Sequence, residues 1–406
     1  MSEQKARFVA LDVHKSYVMV GAVNAEQEIV LQPRRVALNS FERWIGRHLR
    51  PGDEVVLEAT SNAWLIHDLL EPLVNRVVVA HPYHVKLISA ATVKTDKRDT
   101  LALAKLLAAK MIPKVWVPPQ HVRELRALIA HRKRLISQRT AAKNRLHSIL
   151  HRHNLTPPDG RPFSDDHRAW WDKLALPSSE TLRLRQDWII IEQLSDLIAE
   201  VEVELTHLSV SADWADQVPF LIQLPGIGLL TAMTILSAIG HISRFPSAKK
   251  LVGYAGLGGR VHASGKVHQT GSITKQGRKE LRAALVEAAW ITIKNHPFWL
   301  AQFQRLEHKK GSKKAIVAIA RKLLVVIWHV LTTQAADRRA DPELVAKYLM
   351  NWASQHRLSN QHLGLRRPLF VRQQLDRLGL GQELQGFKWG SVYFKLPPSS
   401  FVTQSS

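Results

Sequence analysis

The sequence predicts an α+β chain of several domains: a mixed β-sheet covered by helices, then a long helical segment, then a mainly helical carboxy-terminal half. Three observations carry this. Short β-rich runs near the amino terminus first follow one another directly and then alternate with helical patterns, which implies a mixed sheet with helices on its faces. From His121 to His153 apolar residues recur at helical spacing in a run dense in Arg, Lys and His. At 406 residues the chain exceeds one ordinary core, so two or three domains are expected. Composition shifts place segment boundaries at 1–117, 118–214, 215–335 and 336–406.

With 57 Lys+Arg against 34 Asp+Glu the formal charge is +23, a field that favours a polyanion, and nucleic acid is the leading candidate. No apolar run approaches the roughly 20 residues of a membrane span, the first residues, MSEQKARF, hold no apolar signal core, and the lack of cysteine fits a reducing cytoplasm, so a cytoplasmic protein without a membrane partner is expected. The absence of cysteine excludes disulfides, thiolate-bound zinc and a thiol nucleophile. Twenty histidines are scattered without HExxH spacing.

Taken in order, FVALDV (Phe8–Val13), Tyr17–Val23 and Glu28–Val36 read as three consecutive strands, the first two a hairpin. A helix with Ser40 as N-cap runs to Leu49 and ends at Pro51-Gly52. EVVLE (Glu54–Glu58) reads as a buried strand, Asn62–Leu73 as a helix and RVVVA (Arg76–Ala80) as a strand, before the helix VKTDKRDTLALAKLL (Val93–Leu107). Asp12 and Glu58 are acids embedded in apolar strands, an expensive placement unless they are paired, hydrogen-bonded or metal-bound. If those two strands are neighbours, the acids share one edge. Asp96 and Asp99 project from one helical face; taken alone, they read better as a solvated, charge-mixed first turn whose acids the macrodipole favours, and they need partners from elsewhere in the chain. Lys94, Lys97 and Arg98 are interleaved with them as solvated charges or phosphate contacts. Four carboxylates gathered this way suit Mg²⁺ or Mn²⁺, and two such ions a few ångströms apart cleave phosphodiesters.

Past Pro118 the basic helix carries Arg132, Lys133, Arg134, Arg139, Lys143 and Arg145, either as the solvated face of a coiled coil or hairpin or as a surface along a phosphate backbone. Ser179–Leu208 turns acidic towards its end and can pack antiparallel to it or join subunits. Between two apolar helical patterns, Pro225-Gly226-Ile227-Gly228 is a helix-hairpin-helix-like turn whose glycines let backbone amides approach a phosphate. Gly258–Gly277 reads as a long, Gly-rich basic loop, and such loops are usually functional. Its Ser264 and Ser272 lie among Arg260, Lys266, Lys275 and Arg278; hydroxyls so placed bind a phosphate, the commoner role, or attack one. Helices follow at Arg278–Ile293 and within Lys309–Leu331. The last segment, with Arg366, Arg367, Phe387, Lys388, Trp389, Tyr393 and Phe394, either packs on the preceding one or stacks on unpaired bases.

FVALDVHK, VVLEAT, KTDKRD, LPGIG, YAGL (Tyr254–Leu257) and ASGK followed by GSITKQGRKELR occur in that order. In this the chain resembles the DEDD-type insertion-sequence transposases, bridge-RNA-guided DNA recombinases, over roughly Phe8–Leu331. The resemblance implies a RuvC/RNase H-like catalytic domain joined through a coiled coil to a transposase domain, with Asp12, Glu58, Asp96 and Asp99 binding divalent metal. It also implies Ser264 as the nucleophile that becomes joined to a DNA end, with Ser272 as the fallback. The implied partners are double-stranded DNA at the element ends and target, a guide RNA, and further copies of the chain, a dimer assembling to a tetramer. The alternative is a RuvC-like metal-dependent nuclease or junction resolvase with no covalent intermediate, and a third possibility is a non-catalytic architectural protein.

Overall fold

In the computed structural model, residues 6–88, 95–264, 267–355 and 358–400 are described. The chain divides into two compact units, Met1–Pro118 and Pro119–Ser406.

The first unit opens with β1 (Phe8–Val13), β2 (Tyr17–Val23) and β3 (Ile29–Ala37). It continues with α1 (Phe41–His48), β4 (Glu54–Glu58), α2 (Ala63–Leu70), β5 (Arg76–Ala80), α3 (Pro82–Ile88) and α4 (Asp96–Ala108). The strands form one mixed sheet in the order β3-β2-β1-β4-β5, antiparallel between β1, β2 and β3 and parallel from β1 to β4 to β5. Strand side chains alternate between faces, and the sheet is buried on both. Val9, Leu11, Val13, Val55 and Leu57 pack with Phe41, Trp44 and Ile45 of α1 and Ile66 and Leu70 of α2. Phe8, Ala10, Val56 and Val78 face the other way, onto Leu103, Ala104 and Leu107 of α4.

Two local expectations change. The Ser40 hydroxyl does not cap α1 but donates to the Ala37 carbonyl at 3.0 Å, within a 3₁₀ turn over Leu38–Ser40. Helix α3 is absent from the sequence reading because seven residues opening on a proline give too short a run for helical periodicity. Helix α4 is capped by Thr95, whose hydroxyl accepts from the Arg98 amide at 3.3 Å.

The second unit begins with α5 (Gln120–Arg152), α6 (Arg168–Asp172) and α7 (Ser178–Leu208). Contacts from Arg132 to Glu202, Arg139 to Ser195, Arg145 to Asp187 and Arg152 to Glu180 run in opposite sequence directions, so α5 and α7 lie antiparallel. Then follow α8 (Val218–Ile222), α9 (Leu229–Ile239), α10 (Ala248–Tyr254), β6 (Gly259–Ser264), β7 (Val267–Ile273) and α11 (Lys279–Asn295). The chain closes with α12 (Pro297–Lys310), α13 (Ser312–Thr333), α14 (Pro342–Ser354), α15 (Asn360–Leu363), α16 (Arg367–Leu378), β8 (Gly386–Trp389) and β9 (Val392–Lys395). Gly258–Gly277 is therefore not a structureless loop: β6 and β7 make an antiparallel hairpin whose Gly-rich, polar composition hides the strand period.

By length and composition α13 is apolar enough to cross a membrane, contrary to the expectation that no such run exists. Its apolar window is half buried, Arg321 and Lys322 interrupt it, and Ile316, Ile319, Leu323, Leu324 and Ile327 pack in a core shared with α10, α11 and α12. The final segment packs on the same unit. Trp352, 1% exposed, donates its indole N–H to Ser209 Oγ at 2.8 Å, and the buried Arg372 guanidinium donates to the carbonyls of Pro397, Gly381 and Leu384. Tyr393 and Lys388 stay exposed on the β8–β9 hairpin.

Gly226 has φ +81°, and a Cβ there would meet the Ala288 carbonyl and Thr292 Oγ1 of α11, both at 2.5 Å; Gly228 has open space. Gly226→Ala is expected to destabilise the protein by about 1–3 kcal/mol or more, and Gly228→Ala by roughly 1 kcal/mol or less as a poorer N-cap, read from urea midpoints. Equal losses would contradict this packing.

Candidate active site

The pleat decides where the acids go. Asp12 and Glu58 follow Ala10 and Val56 by two residues, so both point to the face covered by α4. They lie one step beyond the last paired residues of β1 and β4, Leu11 and Leu57, at neighbouring strand ends. The first turn of α4 brings Asp99 to the same place. Asp12, Glu58 and Asp99 line one open cavity of about 300 Å³ with Pro82, Tyr83, Val85, Lys86 and Leu103.

Asp96 sits at the margin. Its Oδ2 accepts from the Tyr17 hydroxyl at 2.7 Å and lies 3.6 Å from Arg35 and 3.8 Å from His14 Nε2, which is also 3.1 Å from Asp12 Oδ2. Tyr17 stacks on His14, and the Arg35 guanidinium lies over the Tyr17 ring. Ligand atoms of Asp12, His14 and Asp96 all fall within 4.8 Å of one another. The sequence reading does not single out His14, Tyr17 or Arg35, although His14 follows Asp12 by two residues and the strand register contains the other two. Asp12 pairs with Met19 and Met19 with Arg35, a row on one face, and Tyr17 is two residues from Met19.

Burial pushes the Asp12 carboxyl above its ordinary range; His14 pulls it back by charge and hydrogen bond, while Asp96 and Asp99 add to the rise. The Tyr17 hydroxyl holds Asp96 below its ordinary range, against burial and with help from His14 and Arg35. A half-buried carboxylate with acids beside it is a set of hard oxygen donors whose mutual repulsion a divalent cation relieves, so these residues fit such an ion. Lys97 and Arg98 are exposed on the first turn of α4, whereas Lys94 falls outside the described residues.

In the second unit, Ser264 is the last residue of β6 and pairs with Val267, which puts its backbone at the tip of the hairpin. The side chains of 261–270 and all of Lys266 lie outside the described set. Ser272 is exposed, next to the base of the hairpin. That base is tightly built. Lys275 donates to the Gly256 carbonyl, Thr274 to that of Gly258, and a Cβ on Gly277 (φ +111°) would lie 2.0 Å from the Tyr254 carbonyl. Arg278 Nε donates to the Tyr254 hydroxyl at 3.1 Å, which in turn donates to the Ala238 carbonyl at the end of α9. Arg126 donates to the Ser237 and Ala238 carbonyls and Arg244 to that of Ile239. Burial drags the Arg126 guanidinium down to about 10, the Arg278 charge adding to it. Burial alone would raise the Tyr254 phenol, but Arg278, by charge and hydrogen bond, with Arg126 and Arg244, holds it below its ordinary range.

A DEDD-type transposase family model matches residues 9–155, and the model of the transposase family IS116/IS110/IS902 matches residues 218–304. The pilin gene-inverting protein of Moraxella bovis is 31% identical over 68% of this chain and 79% of its own length. The chain belongs to the IS116/IS110/IS902 transposase family. Its enzymes cut and rejoin DNA. The pilin gene-inverting protein of Moraxella lacunata is 29% identical over 68% of this chain and 79% of its own length. The transposase for insertion sequence element IS1111A of Coxiella burnetii is 26% identical over 63% of this chain and 71% of its own length. The four acids fall in the first matched stretch, and the Gly226–Gly228 turn and both serines in the second.

Several cations of this transposase's α5 are engaged within the unit. Arg132 meets Glu202, Lys133 meets Glu280, Arg139 meets the Ser195 hydroxyl, Arg145 meets Asp187, and Lys143 lies over the Phe163 ring. Arg134 is exposed, as is Lys275 at the hairpin base.

Proposed function

We propose that this transposase is the DNA recombinase of an insertion sequence, cutting and rejoining DNA through a covalent bond between Ser264 and a DNA end, with Mg²⁺ or Mn²⁺ held by Asp12, Glu58, Asp96 and Asp99. The observation that carries it is the meeting of Asp12, Glu58 and Asp99 around one cavity, with Asp96 at its margin beside Asp12. The β3-β2-β1-β4-β5 order supports a RuvC-like domain at 1–117, and the antiparallel α5–α7 pair supports a coiled-coil segment at 118–214. Residues 215–335 are then the serine-bearing domain and 336–406 an extension packed on it.

The chemistry assigns each residue a task. Ser264 Oγ attacks the phosphorus, the Oγ–P bond forms, the P–O3′ bond breaks, and the hydroxyl proton ends on the released 3′ oxygen. The phosphodiester energy stays in the serine ester, so rejoining needs no ATP. Bound divalent ions would supply Lewis-acid stabilisation of the phosphate and the leaving oxygen. His14 and Tyr17 orient Asp12 and Asp96, while Lys97, Arg98, Arg134, Lys275, Arg278 and the amides of the Gly226–Gly228 turn contact phosphates. Acids and serine of different protomers meet in a dimer that assembles to a tetramer, and a bridge RNA selects the DNA.

The test is incubation of the full chain with end-labelled element-end duplex and Mg²⁺, followed by denaturation. A protein-linked label lost in Ser264→Ala supports the proposal; cleavage with no linked label leaves a hydrolytic nuclease instead. Affinity for a 30-bp duplex should also fall about 10³-fold or more between 50 and 200 mM salt, if at least six phosphates are contacted. A flat anisotropy titration series would tell against phosphate-dominated binding.

A further inference from the structure

At the foot of the serine-bearing hairpin three guanidiniums meet one phenol. Arg278 donates to the Tyr254 hydroxyl, and Arg126 donates to the same Ala238 carbonyl that the hydroxyl reaches. Arg244 lies over the Tyr254 ring with its guanidinium 5.3 Å from the centroid. All four side chains are mostly buried but keep some exposed surface, so the group can be reached from solvent by a ligand. The carbonyls ending α9 offset part of the crowding, since cations are favoured at a helix C-terminus. Neighbouring Glu280, bonded to Lys133 at 3.1 Å, also faces Arg278 and offsets part of that one charge. Three like charges at one half-buried spot still repel one another, and an anion between them would relieve the repulsion. Arginine's planar fork suits a phosphate's paired oxygens.

We propose that Arg126, Arg244, Arg278 and Tyr254 form a seat for one backbone phosphate of the DNA strand that flanks the cut. This rests on the DNA-recombinase reading for its substrate and for what "flanking" means. Distance sets its role. From Gly259 to Ser264 there are five strand steps at about 3.4 Å each, so the tip of the hairpin stands roughly 17 Å from its foot. The seat therefore holds a phosphate several nucleotides from the one attacked, and it positions the strand relative to the hairpin. The fold ties the two together: Tyr254, Ala255 and Gly256 meet Gln276, Gly277 and Arg282 at the hairpin base, with Arg282 donating to the Ala255 carbonyl at 3.1 Å.

The experiment is fluorescence anisotropy of the full chain with a 30-bp duplex across a salt series, for the wild type, Arg278→Gln, Arg278→Lys and Arg244→Gln. Loss of one phosphate contact lowers the slope of log affinity against log salt by about 0.9. Arg278→Gln and Arg244→Gln should each show that drop together with weaker binding, and Arg278→Lys should keep the slope. An unchanged slope in both glutamine variants, or an equal loss in Arg278→Lys, would overturn the seat, whatever the effect on affinity. A slope change seen with single-stranded RNA of the same length but not with duplex DNA would overturn the assignment to DNA. The slopes need no covalent adduct, so failure of the serine chemistry would leave this result standing.

Discussion

Asp12→Asn and Glu58→Gln are each expected to lower single-turnover DNA cleavage by about 10³-fold or more, because Lewis-acid stabilisation worth several kcal/mol is lost at 1.36 kcal/mol per factor of ten. The geometry gives the reason. The two acids occupy neighbouring ends of parallel strands, facing α4, where Asp99 completes a cavity and burial raises Asp12. Removing one oxygen charge should weaken Mn²⁺ binding, read by electron paramagnetic resonance of free Mn²⁺, in parallel with the rate. A second readout separates a metal site from a structural one. In metal-free buffer, Asp12→Asn replaces a desolvated, repelled carboxylate by an amide of the same shape, so its unfolding midpoint should not fall below that of the wild type. A marked loss of stability would mean that the acid holds the fold together.

Ser264→Ala is expected to eliminate the covalent protein–DNA species completely while leaving Mn²⁺ affinity unchanged, and Ser272→Ala to retain the adduct. The backbone supports this contrast: Ser264 ends β6 at the tip of the hairpin, whereas Ser272 sits near a base held by Arg260, Gly277 and Tyr254. A tip can enter a second molecule's cavity without dismantling its own domain. Adduct formation on denaturing gels, scored beside Mn²⁺ binding of the same preparations, separates loss of the nucleophile from loss of the metal site. An adduct persisting in Ser264→Ala and absent in Ser272→Ala would move the chemistry to β7.

Much of the first unit is legible because its physics is local. Short apolar runs, an embedded acid on each of two of them and a pair of acids at a helix start can all be counted along the chain. The neighbours of the acids are less accessible. Tyr17 and Arg35 reach Asp96 through a cross-strand register, which depends on pairing that no single run displays, whereas His14 follows Asp12 by two residues and shares its face by simple alternation. The α5 cations look solvated in isolation, yet Arg132, Arg139, Arg145 and Arg152 recur at roughly heptad steps and are answered by Glu202, Ser195, Asp187 and Glu180 of α7. The β6–β7 hairpin was hidden by glycine and polar residues that bury no face. Arg126, Arg244 and Tyr254 come from α5, the turn after α9 and α10, so only folding shows that they share a site with Arg278.

Whether Ser264 carries the DNA is decided by mass spectrometry of the trapped adduct. Trypsin cuts after Arg260, Lys266 and Lys275, which places Ser264 in peptide 261–266 and Ser272 in peptide 267–275. After nuclease trimming of DNA trapped with Mg²⁺, a nucleotide-mass addition is expected on peptide 261–266. An addition on peptide 267–275, on a tyrosine-containing peptide, or on none while DNA is cleaved, would contradict it.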